Sequence, residues 1–194
     1  MNDKYYLPDW VKEQHQPWDA SKILDFLWLS DFYSAAMLER LHVVNITHVL
    51  IASWESKQWF PKDFEYMQLS VADTNSELLI THFDTTYEFI ENAKTNGGTI
   101  LVHCMGGISR SPTIVAAYLM KSMNMSAKEA IAFIQEKRRI ARPNQNFQSQ
   151  LELYQKLGCQ LTKTTQNKEH HKQLQKLIKK LKKPKKEDEK SCTL

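Results

Sequence analysis

One stretch constrains this chain more than any other: His103-Cys104-Met105-Gly106-Gly107-Ile108-Ser109-Arg110-Ser111. It follows an apolar run, Thr99-Ile100-Leu101-Val102, that reads as a buried strand. It leads into Pro112 to Met120, which reads as a helix with its proline in the first turn. Strand, tight glycine-containing turn and helix N-terminus together gather backbone N–H groups around one point, with the positive end of a helix dipole behind them. Such a nest takes an anion. Arg110 adds a planar fork that matches two oxygens of a phosphate. Cys104 lies at the base of the nest, so whatever stabilises a bound phosphate also stabilises its thiolate. A thiolate beneath a phosphate is a nucleophile aimed at phosphorus. The plainer reading, a buried structural cysteine beside a helix-capping turn, leaves the shared placement of strand, glycine, arginine and helix unexplained.

The rest of the chain alternates strands and helices around this loop. Residues 1–20 are aromatic and proline-punctuated (Tyr5, Tyr6, Pro8, Trp10, Pro17, Trp18) and read as an arm packing on the domain. Ile23 to Ser30 reads as one strand, Ser34 to Leu41 as a short helix capped by Ser34, and Ile46 to Ser53 and Phe64 to Val71 as two more strands. Trp54, Trp59 and Phe60 read as core, or else as a hydrophobic rim of a cleft. Leu78 to Thr95 is an amphipathic helix that Asn96-Gly97-Gly98 ends. Ser126-Ala127-Lys128-Glu129 is a capping-box start for a helix running to about Arg139. Asn144 caps a last helix that Gly158 closes. This alternation predicts an α/β sheet covered on both faces.

A thiolate attacking phosphorus in line needs a proton donor on the opposite face for the departing oxygen. The polar stretch Val71-Ala72-Asp73-Thr74-Asn75-Ser76-Glu77 offers one, in Asp73, 31 residues ahead of Cys104. From the residues alone Asp73 serves equally as a turn or cap former, with Asp84 and Glu77 as rivals for the acid.

Cysteine and charge bound the setting. Cys104, Cys159 and Cys192 show no paired spacing, which suggests a reducing compartment, cytoplasmic or nuclear or both. No apolar run is long enough to span a membrane. The start is polar rather than signal-like, and Cys192 falls one place too late for prenylation. The net charge of +4 hides an asymmetry: Lys163 to Lys190 carry 11 Lys against 4 acidic residues, or +7, and the remainder is −3. Within this tail Leu174, Leu177, Ile178 and Leu181 share helical spacing among lysines. The pattern suits an anionic membrane surface, an import receptor or a partner protein, or else a solvated tail. Tail His170 and His171 read as solvated.

His-Cys-x5-Arg-Ser resembles the signature loop of cysteine-dependent protein phosphatases, and its surroundings resemble the dual-specificity branch. That branch reads His-Cys-x-Ala-Gly-x-Ser-Arg-Ser, then a helix with Ala-Tyr-Leu-Met, here Ala117-Tyr118-Leu119-Met120. Pro143-Asn144-Gln145-Asn146-Phe147-Gln148-Ser149-Gln150-Leu151 resembles its Pro-Asn-x-x-Phe-x-x-Gln-Leu segment. Leu27-Trp28-Leu29 and Ile46-Thr47-His48-Val49-Leu50 resemble its opening strands. Gly106 stands where the family usually has Ala, and Ile51 where it often has Asn.

The resemblance covers residues 21–160 and implies a central mixed, mainly parallel sheet of about five strands flanked by helices. It leaves an arm over 1–20 and a Lys-rich tail over 161–194. It implies Cys104 as nucleophile and Asp73 as general acid. It implies that Arg110 and the backbone N–H groups of Met105, Gly106, Gly107, Ile108 and Ser109 hold phosphate. Ser111 then bonds the sulfur, and His103 orients the loop and ligates no metal. The family needs neither cofactor nor metal. The expected partner is a phosphorylated protein, a kinase being one candidate, rather than nucleic acid. The absence of a kinase-docking domain ahead of the catalytic unit resembles the small atypical members. Other uses of the same chemistry are an RNA 5′-triphosphatase, a phosphoinositide phosphatase and a non-catalytic phosphoprotein binder. Arg138, Arg139 and Arg142 are candidates for a second phosphate, or a solvated helix face, and Cys159 for a redox partner of Cys104.

Overall fold

The structure is a computed structural model. It describes residues 17–161 and four further helical positions, Lys172, Gln175, Lys176 and Lys179. Most of the arm, and the tail's Leu174, Leu177, Ile178 and Leu181, lie outside the described residues.

Five strands form one sheet: β1 (Ala20–Leu24), β2 (Leu27–Ser30), β3 (Ile46–Ala52), β4 (Glu65–Leu69) and β5 (Thr99–His103). Their order is β1-β2-β5-β3-β4. Only β1 and β2 pair antiparallel; the other neighbours are parallel. The catalytic-loop strand β5 is therefore central, which explains its unbroken apolar run: Ile100, Leu101 and Val102 are fully buried. The sequence between Ile23 and Ser30 reads as one strand but folds as a hairpin turning at Asp25-Phe26. No Gly, Pro or Asn marks that turn.

Within residues 17–161 five α-helices are interspersed with and follow these strands: α1 (Leu38–Val43), α2 (Phe83–Thr95), α3 (Arg110–Met123), α4 (Ala127–Lys137) and α5 (Gln145–Lys156). The pleat sends alternate side chains to opposite faces. Leu27, Leu29, Leu50, Ala52, Ile100 and Val102 meet a core built by α2 to α5. Val49, Ile51 and Leu101 meet Leu41 of α1 and the aromatic residues Phe32, Trp59, Phe60 and Phe64. Trp59 and Phe60 are thus core, whereas Trp54 is 61% exposed. Ile51 is packed among apolar side chains, so the loop draws its support from elsewhere.

Helix ends follow the local chemistry in part. Ser126 and Glu129 form the reciprocal capping box at α4. The Asn144 side chain accepts from the Phe147 amide at the start of α5. Gly97 and Gly158 take positive φ just beyond α2 and α5. Ser34 caps no helix. It opens a 3-10 turn (Ser34–Ala36), its amide donates to Asp31 Oδ1 at 2.7 Å, and its hydroxyl accepts from the Asp19 amide at 2.8 Å. The segment Leu78 to Thr95 begins with a 3-10 turn (Leu79–His82) before α2. α3 is buried from Arg110 to Met120. A helix buried on all sides forms the core's spine and carries the loop at its N-terminus.

Candidate active site

The loop between β5 and α3 is shaped by what holds its carbonyls. His103 Nδ1 meets the Cys104 carbonyl at 3.2 Å. The Phe32 amide donates to the Met105 carbonyl at 3.0 Å, and the Arg142 amide donates to that of Ile108. Arg138 donates to the Gly106 carbonyl at 3.3 Å and the Gly107 carbonyl at 2.8 Å. Thr113 holds the Ser109 carbonyl with its amide and its hydroxyl. Six consecutive carbonyls are thereby engaged from outside the loop, which turns the amide N–H groups inward as the nest requires. At Gly107, φ is +60°, and a Cβ would lie 2.5 Å from the Ser30 carbonyl oxygen. Only glycine fits. At Gly106 a Cβ would meet only the flexible end of Ile108, at 3.1 Å, so the alanine usual in relatives would fit there too.

Cys104 is at the base of this nest, 2% exposed. Ser111 Oγ donates to its sulfur at 3.1 Å. His103 is fully buried, and that burial pushes its imidazole down to about 4, so the ring is neutral. Arg110 is buried as well. Its Nη1 donates to the Glu55 carboxylate, to Ser53 Oγ at 3.3 Å and to the Val71 carbonyl at 3.1 Å. Its buried Nε has no partner among the described residues, so this edge of the guanidinium is left to grip an oxyanion. Burial pushes the Glu55 carboxyl up, but its bonds from Arg110 and Ser53 outweigh that and hold it below the usual range. Glu55 and Ser53 are site residues that the sequence did not announce. They reach Arg110 across 55 and 57 positions, and no periodicity marks such a pair.

Asp73 lies in the loop after β4, exposed, with Oδ1 accepting from Ser109 Oγ and Asn144 Nδ2, each at 2.8 Å. The acid candidate is therefore in direct contact with the loop that follows Cys104, through Ser109. Its rivals are engaged elsewhere. Glu77 accepts from the amides of Ala72 and Leu78. Asp84 is buried between helices, accepting from Lys121 Nζ at 2.9 Å, Tyr154 OH at 2.9 Å and the Leu161 amide at 2.7 Å.

One further expectation is corrected. Arg138 is neither on a solvated face nor free for a second phosphate. It is 2% exposed, committed to the loop carbonyls, and paired through both terminal nitrogens with the Asp19 carboxylate at 2.8 and 2.7 Å. Cys159 is half-buried just beyond α5, where its amide donates to the Tyr154 carbonyl at 2.9 Å, and burial pushes its thiol up.

A central parallel strand, a cysteine under inward amides and an arginine at the helix start define the protein tyrosine phosphatase type of fold. The family model for the dual specificity phosphatase catalytic domain matches residues 27–157, and the chain belongs to that family. It is 40% identical over 136 residues to human protein phosphatase Slingshot homolog 3, covering 70% of this chain and 21% of that protein. It is 39% identical over 138 residues to dual specificity protein phosphatase 1B of Arabidopsis thaliana, covering 71% of this chain and 83% of that one. The chain thus spans about a fifth of the length of the Slingshot relatives it matches. Among solved structures, DUSP15 superposes with a TM-score of 0.71 at 32% identity, covering 82% of this chain and 97% of that one. The human tyrosine phosphatase-like serine/threonine/tyrosine-interacting protein superposes with a TM-score of 0.70 at 34% identity, covering 74% of this chain and 100% of that one.

Proposed function

We propose that this chain is a protein phosphatase that hydrolyses phosphotyrosine and phosphoserine or phosphothreonine through a phosphocysteine. The observation that carries the reading is the Cys104 sulfur held at 3.1 Å by Ser111 beneath a loop whose carbonyls all turn outward. In the first step Cys104 Sγ attacks phosphorus, the bond to the leaving oxygen breaks, and Asp73 protonates that oxygen. The amides of residues 105–110 and the free edge of Arg110 stabilise the charge on the equatorial oxygens. In the second step Asp73 takes a proton from water, the water oxygen bonds to phosphorus, and the S–P bond breaks. Ser111 stabilises the thiolate that leaves. A shared fold alone does not separate enzyme from binder, since one structural neighbour is a tyrosine phosphatase-like, serine/threonine/tyrosine-interacting protein. The retained Cys104, Arg110 and Asp73 favour turnover.

The test is metal-free steady-state hydrolysis of matched phosphotyrosine and phosphothreonine peptides, with a phosphoinositide and a 5′-triphosphate RNA in parallel. Turnover of both peptides is expected. Cleavage of lipid or RNA alone would keep the cysteine chemistry and overturn the substrate class. Cys104→Ser is expected to abolish turnover while retaining phosphopeptide binding. Asp73→Asn is expected to lower kcat/KM about 10²–10⁴-fold on a poor leaving group, the usual range for a general acid.

A further inference from the structure

We propose that the groove between the end of α3 and α4 is a docking site for the Lys-rich tail of this same chain. The tail lays Leu174, Leu177, Ile178 and Leu181 into the groove, and its lysines face the groove's two glutamates.

The groove has a volume of about 460 Å³ and is lined by Met123, Met125, Ala132 and Phe133 together with Glu129 and Glu136. Local structure explains it. Asn124 takes a left-handed φ of 55° and ends α3, with a methionine on either side of the turn. On α4, Glu129, Ala132, Phe133 and Glu136 fall at i, i+3, i+4 and i+7, one stripe of the helix. Ala130 and Ile134 are the α4 residues that enter the core. Met123 is 47% exposed, and Met125 and Phe133 are half-buried. Apolar side chains gathered in one open concavity mark an interaction surface, and methionine adapts to the shape of what fills it. Lys137 Nζ lies 5.8 Å over the Phe133 ring, so this wall already accepts a cation.

The occupant follows from spacing, charge and position. The four apolar tail residues also fall at i, i+3, i+4 and i+7. The described tail positions Lys172, Gln175, Lys176 and Lys179 are helical, and the three lysines are exposed, as suits the polar face of an amphipathic helix. Lys163 to Lys190 carry +7 and the remainder −3, so tail and domain attract. The Leu161 amide donates to Asp84, which also accepts from Lys121, two positions before Met123. The chain therefore leaves the domain beside the last turn of α3. Residues 162–173 can span up to about 40 Å, and a tether of that length presents the tail at about millimolar effective concentration. An anionic lipid surface would suit the lysines but leaves the open methionines unexplained. The groove lies at the other end of α3 from Arg110, about 20 Å along the helix, so docking leaves the phosphate loop open.

The experiment uses the full chain with its methionine methyls labelled, as wild type, Leu177→Asp, Phe133→Ala and Glu136→Lys. It reads the Met123 and Met125 methyl resonances and the amide exchange of residues 172–181. Leu177→Asp is expected to move both resonances. Tail exchange should quicken about tenfold in Phe133→Ala, as for loss of one apolar anchor, and about threefold in Glu136→Lys. Glu136 is exposed, so its variant keeps the test open if Phe133→Ala melts early. Turnover of an aryl phosphate should be unchanged in all three. Methyl resonances indifferent to Leu177→Asp, or tail exchange indifferent to both groove variants, would overturn the proposal. So would methyl shifts that depend on protein concentration, which would place a second copy's tail in the groove. Protection of the tail by phosphatidylserine vesicles alone would overturn it in favour of a lipid surface.

Discussion

At the residue scale the two glycines of the loop make opposite demands, although they are adjacent. Gly106→Ala adds a methyl that meets only the tip of Ile108, and stability should move by less than about 0.5 kcal/mol with turnover intact. Gly107→Ala puts a Cβ against the Ser30 carbonyl at positive φ and should cost at least ~1–3 kcal/mol, along with most of the activity. Denaturant melts and turnover of the two variants, side by side, check this. The sequence carried these positions well, because a turn that gathers amides restricts residue type locally. Glu55 and Arg138 were not legible for the converse reason. Glu55 is one polar residue in a polar loop, and Arg138 one of several basic residues at a helix end. Their roles come from partners far along the chain, Arg110 for the first and Asp19 for the second.

At the scale of elements, β5, the loop and α3 could be anticipated from the apolar run and the proline, and α4 and α5 from their caps. The hairpin of β1 and β2 could not, because Leu24-Asp25-Phe26-Leu27 keeps strand-like composition through the turn. α5 was legible as a capped helix, but its hold on the loop after β4 was not: Asn146 Nδ2 donates to the Thr74 and Glu77 carbonyls and Gln150 Nε2 to that of Glu77, and both read as ordinary polar helix residues. The junction of α2, α3 and α5 is fastened by Asp84. Burial, then the Asp84 charge beside it, pushes the Tyr154 phenol up and keeps it a donor. Asp84→Leu leaves Lys121 and Tyr154 without their acceptor and should destabilise the fold by ~3–5 kcal/mol. The fraction that remains folded should keep the wild-type dependence on leaving group, as expected of a structural carboxylate. Thermal melts paired with active-site titration separate the two effects.

At the scale of the whole molecule, stability should depend on pH through His103. Its folded value is about 4 against 6.5 unfolded. Stability is therefore full above pH 6.5 and falls as pH drops toward 4, because the unfolded chain takes up a proton that the folded one refuses. The loss approaches on the order of 3 kcal/mol. Burial pushes His82 down too, which adds in the same direction. Urea midpoints at pH 7 and pH 5 measure the slope, and His103→Asn should flatten it.

The salt bridge from Asp19 to Arg138 also bears on where this domain can be cut. The family match begins at residue 27 and stops at 157. Asp19, the only carboxylate paired with buried Arg138 among the described residues, lies before that start, as does β1. The Leu161 amide that closes on Asp84 lies after that stop. A fragment trimmed to 27–157 would leave a guanidinium buried without its counter-charge directly behind the phosphate loop, and β2 as a bare edge. The unit that folds is thus wider than the unit that evolution makes recognisable, and trimming by similarity would damage the catalytic loop from a distance.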